Sequence, residues 1–346
     1  MALEMDKEKF FYNAAWGAAG CNHREISKLK SDFGTWEEIF EKLSGKGVKA
    51  EPEKEWMKLE KCGIRMIFSE ESVFPEFLRE IYWPPLAVYV KGETAFLKNP
   101  AVAIVGTRKA TEDGIEIARQ FGRELAEAGI TVVSGLAFGI DAAAHRGCLD
   151  VGGKTVAVLP RGLDEVYPKS NERLAEEIIA AGGAVISEYP PGIPPLPHRF
   201  IERNRIVSGL SLGTVVIEVP ERSGALATAR FASEQNREVF VVPGPAGHRN
   251  FSGSHKLIRS GARLVSKPSD VLEDLNIIEP SEERDDGKTE EEKIVLKILS
   301  GSAEPLGIDK ITEMAELESR VANQALTLLL LKNEIKEEGE GYTLCK

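Results

Sequence analysis

Between residues 101 and 242, short apolar runs rich in β-branched residues alternate with longer segments whose apolar residues recur every three or four positions. The first pattern is typical of buried strands and the second of amphipathic helices. Strands and helices that alternate at this spacing indicate an α/β fold with a doubly wound, mainly parallel sheet of Rossmann-like type. The predicted strands are Ala101–Val105, Ile130–Val133, Thr155–Leu159, Ala184–Ile186, Val215–Ile217 and Val239–Val242.

The segments before this region have a different pattern. Residues 1–65 carry short helical stripes of apolar residues, and they predict a small helical domain. Trp16, Trp36 and Trp56 lie on these stripes, so we expect them to pack in its core and not to stack on bases. Residues 66–98 contain several prolines and end in an apolar run, which predicts an ordered connector with one strand.

The central domain is placed at residues 99–275, and two further segments follow it. Residues 276–290 are charged and lack periodicity, which is typical of a solvated linker. Residues 291–346 predict three helices and a short β-wing. A winged helix has this order of elements, but many small helical domains would produce the same pattern.

The 346-residue chain has the composition of an ordinary globular protein, with 42% hydrophobic and 29% charged residues. Its first ten residues include five charged ones, and no apolar run reaches the roughly 20 residues needed to span a bilayer. These features predict a cytoplasmic protein without a membrane span. The four cysteines lie far apart, so neither a zinc site nor a CxxC redox site is expected.

The charge distribution is uneven. A formal net charge of -11 argues, as an average, against a nucleic-acid partner, because phosphate binding needs local positive potential. Residues 196–263, however, contain ten lysines and arginines against five glutamates and no aspartate. This local excess permits an anion site, although scattered surface arginines are the favoured explanation of the charge excess by itself.

The loop after the first predicted strand has the features of an anion site. In a doubly wound sheet, ligands bind beyond the carboxyl ends of the strands. This loop contains Gly106, Thr107 and Arg108, and a helix is expected to begin near Thr111. Glycine lets backbone amides approach an anion, and the helix N-terminus adds amides and a favourable dipole.

The second loop contains Ser134, Gly135 and Gly139, which suit the same purpose, and then Asp141 and His145. Asp141 can hold the loop or the start of the next helix through backbone amides. At a spacing of four residues, Asp141 and His145 could also form an acid–base unit. We favour a structural, hydrogen-bonded pair, because no nucleophile accompanies it.

Three later segments carry further candidates for phosphate binding. They are Lys169 and Asn171 after the third strand, Arg199, Arg203, Asn204 and Arg205 in an arginine-rich segment, and Ser223 and Gly224 in a small-residue turn. Cations, amide side chains and helix N-termini all bind phosphate oxygens. For Lys169 the alternative is a solvated lysine beside a helix that Ser170 caps. Glu218 would repel an anion and could pair with an arginine.

Nucleotide-cofactor motifs are missing. Neither the dinucleotide fingerprint GxGxxG nor the GxxxxGK[ST] loop follows the first strand. The sequence therefore predicts no cofactor and no metal.

Six motifs in this order resemble the DprA/Smf family of DNA-processing proteins. They are Val105-Gly106-Thr107-Arg108, Ser134-Gly135-Leu136-Ala137-x-Gly139-Ile140-Asp141, Tyr167-Pro168-x-x-Asn171, Arg203-Asn204-Arg205-Ile206-Val207-Ser208, Ser223-Gly224-Ala225-x-x-Thr228-Ala229 and Val242-Pro243-Gly244. Any one of these motifs is weak evidence, whereas six in order across about 140 residues are hard to obtain by chance.

The resemblance implies an extended Rossmann-like domain flanked by an N-terminal sterile-alpha-motif-like (SAM-like) helical domain and a C-terminal winged helix. It also implies a homodimer that binds single-stranded DNA, loads the recombinase RecA during natural transformation and recombination, and displaces or bypasses single-strand-binding protein, without enzymatic turnover. Arg108 and Lys169 match DNA-contacting positions of the family. Leu257 and Ile258 are expected to contribute to the dimer contact. His255 stands where the family usually has asparagine.

Two other functions remain open at this stage. One is a nucleotide-processing hydrolase of the lysine-decarboxylase-like Rossmann group, for which Asp141, His145 and Glu218 could supply acid–base groups. Its Pro-Gly-Gly-x-Gly-Thr loop is missing here. The other is a winged-helix transcription regulator, although Glu313, Glu316 and Glu318 would make a poor major-groove surface.

Overall fold

The computed structural model describes residues 6–19, 23–45, 51–277, 289–302, 305–315, 317–332, 334–339 and 341–344. The chain divides into two compact units, residues 1–279 and residues 280–346, and each is considered by itself. Most of the predicted linker, together with Cys21, Glu316 and Cys345, lies outside the described residues.

Nine strands of the first unit form one sheet. They are β1 (Arg65–Phe68), β2 (Ala87–Gly92), β3 (Ala101–Gly106), β4 (Thr131–Ser134), β5 (Thr155–Leu159), β6 (Ala184–Ser187), β7 (Gly213–Ile217), β8 (Glu238–Val241) and β9 (Arg263–Leu264). Their spatial order is β1-β2-β6-β5-β4-β3-β7-β8-β9. The β1–β2 and β2–β6 pairs are antiparallel, and all other pairs are parallel. From β3 the chain proceeds outward through β4, β5 and β6 and then returns to β7, so the topological switch point lies between β3 and β7.

Helices cover both faces of this sheet. They are α1 (Lys7–Ala19), α2 (His23–Asp32), α3 (Trp36–Ser44), α4 (Pro52–Lys61), α5 (Glu76–Arg79), α6 (Glu112–Glu127), α7 (Ile140–Asp150), α8 (Glu172–Ala180), α9 (Pro197–Gly209), α10 (Gly224–Glu234), α11 (Ser252–Arg259) and α12 (Pro268–Asp274). Short 3₁₀ turns span Ala95–Lys98, Lys169–Asn171 and Arg249–Phe251. Strands β5 and β7 are buried at every position, as a sheet covered on both faces requires.

The helix starts follow from local sequence. Thr111 precedes α6, and its hydroxyl accepts a hydrogen bond from the amide of Gly114. Ser223 precedes α10 and accepts from the amide of Ala225. The helix predicted near Thr111 is therefore confirmed.

The aromatic residues of the first helices pack against the sheet. The rings of Tyr12 and Trp36 meet edge to face at 4.7 Å between ring centres, and Trp16 meets Tyr189 at 5.8 Å. Trp16 and Trp36 are buried and Trp56 is half-buried, which confirms that these tryptophans belong to the core. The predicted domain boundaries and the SAM-like character of the helical segment stay predictions.

Within its described residues, the second unit contains three helices and a two-stranded antiparallel sheet. They are α13 (Glu290–Ser300), α14 (Ile308–Ala315), α15 (Ser319–Leu331), β10 (Ile335–Glu338) and β11 (Gly341–Leu344). Its core includes Val295, Leu299, Ile311, Leu326 and Leu329. This element order is the one predicted for a winged helix, and the winged-helix assignment itself stays a prediction.

The six strands predicted for the central region are confirmed to within two residues at each end. Two strands were missed: β1 has four residues directly after a helix, and β9 has two, too few for an alternating pattern to show. Among the helices in the described ranges, none combines the length and apolarity needed to span a membrane. In the same ranges, histidine, cysteine and carboxylate side chains form no cluster of three able to hold a metal ion.

Candidate nucleic-acid interface

The carboxyl ends of the strands at the switch point surround a cleft of about 340 Å³. Eight of the fourteen predicted binding residues line this central cleft: Gly106, Thr107, Arg108, Gly135, Arg203, Asn204, Ser223 and Gly224. They come from four segments that are far apart in sequence. The fold thus brings together loops whose meeting was expected from the doubly wound topology.

The loop after β3 is fixed by close backbone packing. A Cβ atom on Gly106 would lie 2.0 Å from the carbonyl oxygen of Ile217, so only glycine fits there. The amide of Thr107 donates to the carbonyl of Glu218 at 2.9 Å. The Thr107 hydroxyl accepts from the amide of Lys109 at 3.2 Å. The loop is therefore held in one conformation beside the cleft.

Glu218 lies beneath this loop and is 1% exposed. One of its carboxylate oxygens accepts from the amide of Thr111 and from the side-chain amide of Asn250, both at 2.9 Å. The other accepts from the Thr111 hydroxyl. The expected pairing of Glu218 with an arginine is wrong, because donors from two loops already satisfy its carboxylate. Buried in this way, its charge does not face the cleft.

The loop after β4 is organised by Asp141 and Arg203. The Asp141 carboxylate accepts hydrogen bonds from the amides of Gly135 at 3.1 Å and Ala137 at 3.3 Å. Burial raises the pKa of Asp141, and the nearby Arg203 charge opposes that rise. Arg203 donates to the carbonyls of Gly135, at 2.7 Å, and Val158. Burial lowers the pKa of Arg203 to about 10, which leaves it a cation at neutral pH.

The predicted pairing of Asp141 with His145 is wrong. His145 is fully buried, and its Nδ1 lies 2.7 Å from the hydroxyl of Thr155 on β5. The carboxylate of Asp141 instead accepts hydrogen bonds from amides of the preceding loop. Burial lowers the pKa of His145 to about 3. The imidazole is therefore a neutral core group, and the two residues form no acid–base unit.

Arg205 does not belong to the interface. It is 1% exposed, forms an ion pair with Glu188 at 2.5 Å, and lies over the ring of Trp83. The reason is helical geometry: α9 includes both Arg203 and Arg205, and residues two positions apart on a helix point about 160° away from each other. With Arg203 at the cleft, Arg205 must face the core.

Arg199 is also turned away from the cleft. It is 8% exposed and donates to the carbonyl of Pro194 at 2.5 Å. Its guanidinium lies over the ring of Tyr189, 5.2 Å from the ring centre. The predicted phosphate contact of Arg199 stays a prediction; the described contacts of this cation are to a carbonyl and an aromatic face.

Two smaller polar residues are structural as well. The Ser134 hydroxyl, fully buried in β4, donates to the carbonyl of Ile104 at 2.6 Å. The side-chain amide of Asn171, also buried, donates to the carbonyl of Leu136 at 2.8 Å. Neither group is available to a phosphate, so both predicted contacts are wrong.

Gly139 and Lys169 do not line the central cleft. Gly139 has φ +74°, and a Cβ there would lie 2.4 Å from the carbonyl oxygen of Thr107, so it allows the first two loops to meet. Lys169 is exposed at the start of its 3₁₀ turn. Ser170 does not cap α8, which begins after Asn171 without a side-chain cap.

An aromatic slot beside the cleft was not found from the sequence. Phe138 and Tyr167 are 48% and 39% exposed, and both line a small depression together with Phe200 and Arg108. The rings of Tyr167 and Phe200 meet edge to face at 5.5 Å, and the Arg108 guanidinium lies 5.3 Å from the Phe200 ring centre. Phe138, directly before Gly139 in the loop after β4, was the available signal.

Leu257 and Ile258 are half-buried on α11. Leu257 also lines a separate groove of about 370 Å³, together with residues of α10 and β8. Their predicted role in a dimer contact stays a prediction.

Fold and site define a Rossmann-like protein whose switch-point cleft combines backbone amides, a helix N-terminus and cations, which is an arrangement suited to anions. The family model of DNA recombination-mediator protein A matches residues 65–276. The chain belongs to this family.

Protein Smf of Escherichia coli (strain K12) is 43% identical over 217 residues, which cover 63% of this chain and 58% of that protein. Protein Smf of a Synechocystis strain is 42% identical over 213 residues, 60% of this chain and 53% of that protein. The chain thus matches less than two thirds of the length of these two relatives.

Two solved structures are similar to this one. DNA processing protein A (DprA) from Streptococcus pneumoniae superposes with a TM-score of 0.63 at 34% identity, covering 78% of this chain and 93% of that one. DNA processing protein A from Helicobacter pylori, whose structure is described as giving its single-stranded DNA binding mode, has a TM-score of 0.56 at 30% identity, covering 62% and 95%.

Proposed function

We propose that this protein binds single-stranded DNA in the central cleft and the adjoining aromatic slot. The observation that carries the proposal is the position of Arg108. Its guanidinium borders both the cleft and the slot, next to the backbone of Gly106 and opposite the start of α10 at Ser223 and Gly224. A phosphate in the cleft would meet the cation and backbone amides together.

The aromatic slot favours single strands over duplex. Unpaired bases can stack on exposed aromatic faces, whereas duplex bases are already stacked on each other. Phe138 and Tyr167 offer such surface within reach of Arg108. Because the contacts are to phosphates and ring faces, we expect only a slight sequence preference. The Helicobacter pylori relative, described as binding single-stranded DNA, supports the same assignment.

The proposal is tested by titrating the protein with fluorescent single-stranded and duplex oligonucleotides at several salt concentrations. Arg108→Ala should weaken single-strand binding strongly and lower the slope of log affinity against log salt by about 0.7, because about one counterion fewer is released. Lys169→Ala should have the same kind of effect. Lys98→Ala is the control, since Lys98 is exposed directly before β3, at the opposite end of the strands. Equal affinity for duplex and single strands, or unchanged affinity in both Arg108→Ala and Lys169→Ala, would reject the proposal.

We also propose that the protein does not act as an enzyme and uses no cofactor. The three candidate acid–base residues each form hydrogen bonds within the fold. Asp141 accepts from loop amides, His145 bonds to Thr155, and Glu218 accepts from Thr111 and Asn250. The alternative, a nucleotide hydrolase, predicts release of free base from nucleoside monophosphates. Release that disappears in a folded Asp141→Asn variant would establish the hydrolase.

The resemblance supports finer proposals about partners. We propose that the protein acts in the cytoplasm as a homodimer, helps RecA to assemble on single-stranded DNA, and overcomes single-strand-binding protein. The half-buried Leu257 and Ile258 on α11 are the candidates for the dimer contact. Light scattering of the parent and of Leu257→Ser tests the dimer. RecA filament assembly on coated DNA, with and without this protein, tests the loading.

A further inference from the structure

A second cleft, of about 520 Å³, adjoins the central one. The two clefts share Thr107, Pro220 and Arg222 in their linings. Beyond this shared wall, the second cleft is lined by Lys109 and Arg249, and both side chains are exposed. A ligand leaving the central cleft past Arg222 would therefore enter a space bordered by two more cations.

Two polar side chains hold the segments that carry these cations together. The side-chain amide of Asn250 donates to the carbonyl of Lys109 at 3.1 Å. The Ser252 hydroxyl donates to the carbonyl of Arg249 at 3.0 Å and accepts from the amide of Glu221 at 2.9 Å. The backbones on either side of the cleft are thus cross-linked by hydrogen bonds, so the convergence of cations is built into the fold.

The local charge balance is positive. None of Lys109, Arg222 and Arg249 forms an ion pair with another residue in the described ranges. The carboxylate in the lining, Glu221, is paired with Lys256. Three exposed cations with one neutralised carboxylate leave a net positive surface, which attracts phosphate.

We propose that Lys109 and Arg249 form a second phosphate subsite for the DNA strand held in the central cleft. This inference rests on the proposed function. The strand would run from the aromatic slot past Arg108 and Arg222 into the second cleft, across the boundary between β3 and β7. Short oligonucleotides would fill the slot and the central cleft, and longer ones would also reach Lys109 and Arg249.

The test measures binding of oligothymidylates from about 4 to about 16 nucleotides long, a range set by typical single-strand site sizes. The variant is Lys109→Ala/Arg249→Ala. Its charge-matched control is Lys91→Ala/Lys98→Ala, because both lysines lie at the amino-terminal edge of the parallel strands, away from the clefts. All proteins are first compared by thermal unfolding, so that binding is measured on folded protein.

The subsite predicts unchanged affinity for the shortest oligonucleotides and about three- to tenfold weaker binding of the longest ones, with a salt slope lower by about 1.4. A loss equal to that of the control at every length would overturn the second subsite alone, provided that Arg108→Ala still weakens binding. Absence of single-strand binding by the parent at low salt would overturn both the subsite and the proposed function.

Discussion

The guanidinium of Arg205 lies 2.5 Å from the carboxylate of Glu188, and the two side chains are 1% and 0% exposed. Two charges buried this deeply lose their hydration, which costs free energy. Their mutual attraction offsets that cost only while both charges are present. Trp83 adds a cation–π contact, with its ring centre 4.9 Å from the guanidinium carbon. Arg205 therefore stabilises the folded domain.

Arg205→Ala should lower the free energy of unfolding by about 3–5 kcal/mol, because it leaves a buried carboxylate without its cation. Urea unfolding would measure this loss. For the fraction that remains folded, affinity for single-stranded DNA should match that of the parent. A stable variant with weakened binding would instead place Arg205 at the interface.

The contrast between Arg108 and Arg205 shows what the sequence could and could not predict. The position of Arg108 followed from topology alone, because a loop directly after a parallel strand must emerge at the carboxyl edge of the sheet. The sequence pattern assigns Arg205 to the interface together with the other arginines of its segment, whereas α9 begins at Pro197 and includes all three of them. That boundary decides which way each arginine of the segment points.

The aromatic slot and the buried polar residues could not be predicted from the sequence for a different reason. Phe138 and Tyr167 lie in two separate loops and Phe200 lies on α9, and periodicity carries no information about contacts between such distant segments. The sequence pattern predicts Ser134 in the loop after β4, but β4 extends one residue further than predicted and buries it. A difference of one residue in the predicted end of β4 therefore decides whether the Ser134 hydroxyl is assigned to phosphate binding or to the core.

Gly224 and Gly106 provide a matched test of the cleft. A Cβ on Gly224 would meet nothing within 4 Å, whereas one on Gly106 would meet Ile217 and Ile140. Gly224→Ala should therefore leave the melting temperature unchanged and weaken DNA binding, since its methyl group would occupy cleft space. Gly106→Ala should lower stability by about 1–3 kcal/mol. Full DNA affinity in Gly224→Ala would argue against phosphate approach at the start of α10.

Asp141 should act through the loop after β4. Asp141→Ala removes the acceptor for the amides of Gly135 and Ala137, and each amide left unpaired in the interior costs about 1–3 kcal/mol. Asp141→Asn keeps an oxygen that can accept both bonds, so it should be closer to the parent in stability. Chemical denaturation of the parent, Asp141→Asn and Asp141→Ala measures the order of their stabilities. If alanine and asparagine are equally destabilising, the charge of Asp141, and not its acceptor oxygen, holds the loop.

His145 has a defined proton arrangement. The hydroxyl of Thr155 donates to the carbonyl of Val132 at 2.7 Å, so its oxygen must accept from Nδ1 of His145. The ring proton is thus assigned to Nδ1. Nε2 is buried without a hydrogen-bond partner among the described residues, and no group there stabilises a second proton.

This arrangement predicts a specific loss of stability in acid. The unfolded chain protonates His145 below about its ordinary pKa of 6.5, whereas the folded protein keeps it neutral down to about 3. Between these values the unfolded state binds one more proton, so the free energy of unfolding falls by up to about 1.4 kcal/mol per pH unit as pH decreases.

His145→Asn keeps a donor for Thr155 and cannot titrate, so its unfolding free energy should depend less on pH than that of the parent. The difference is measured between about pH 6.5 and pH 5, above the range in which most carboxylates titrate. His198→Asn, at an exposed position, is the control. Parallel pH profiles for the parent and both variants would show that His145 is not kept neutral by burial.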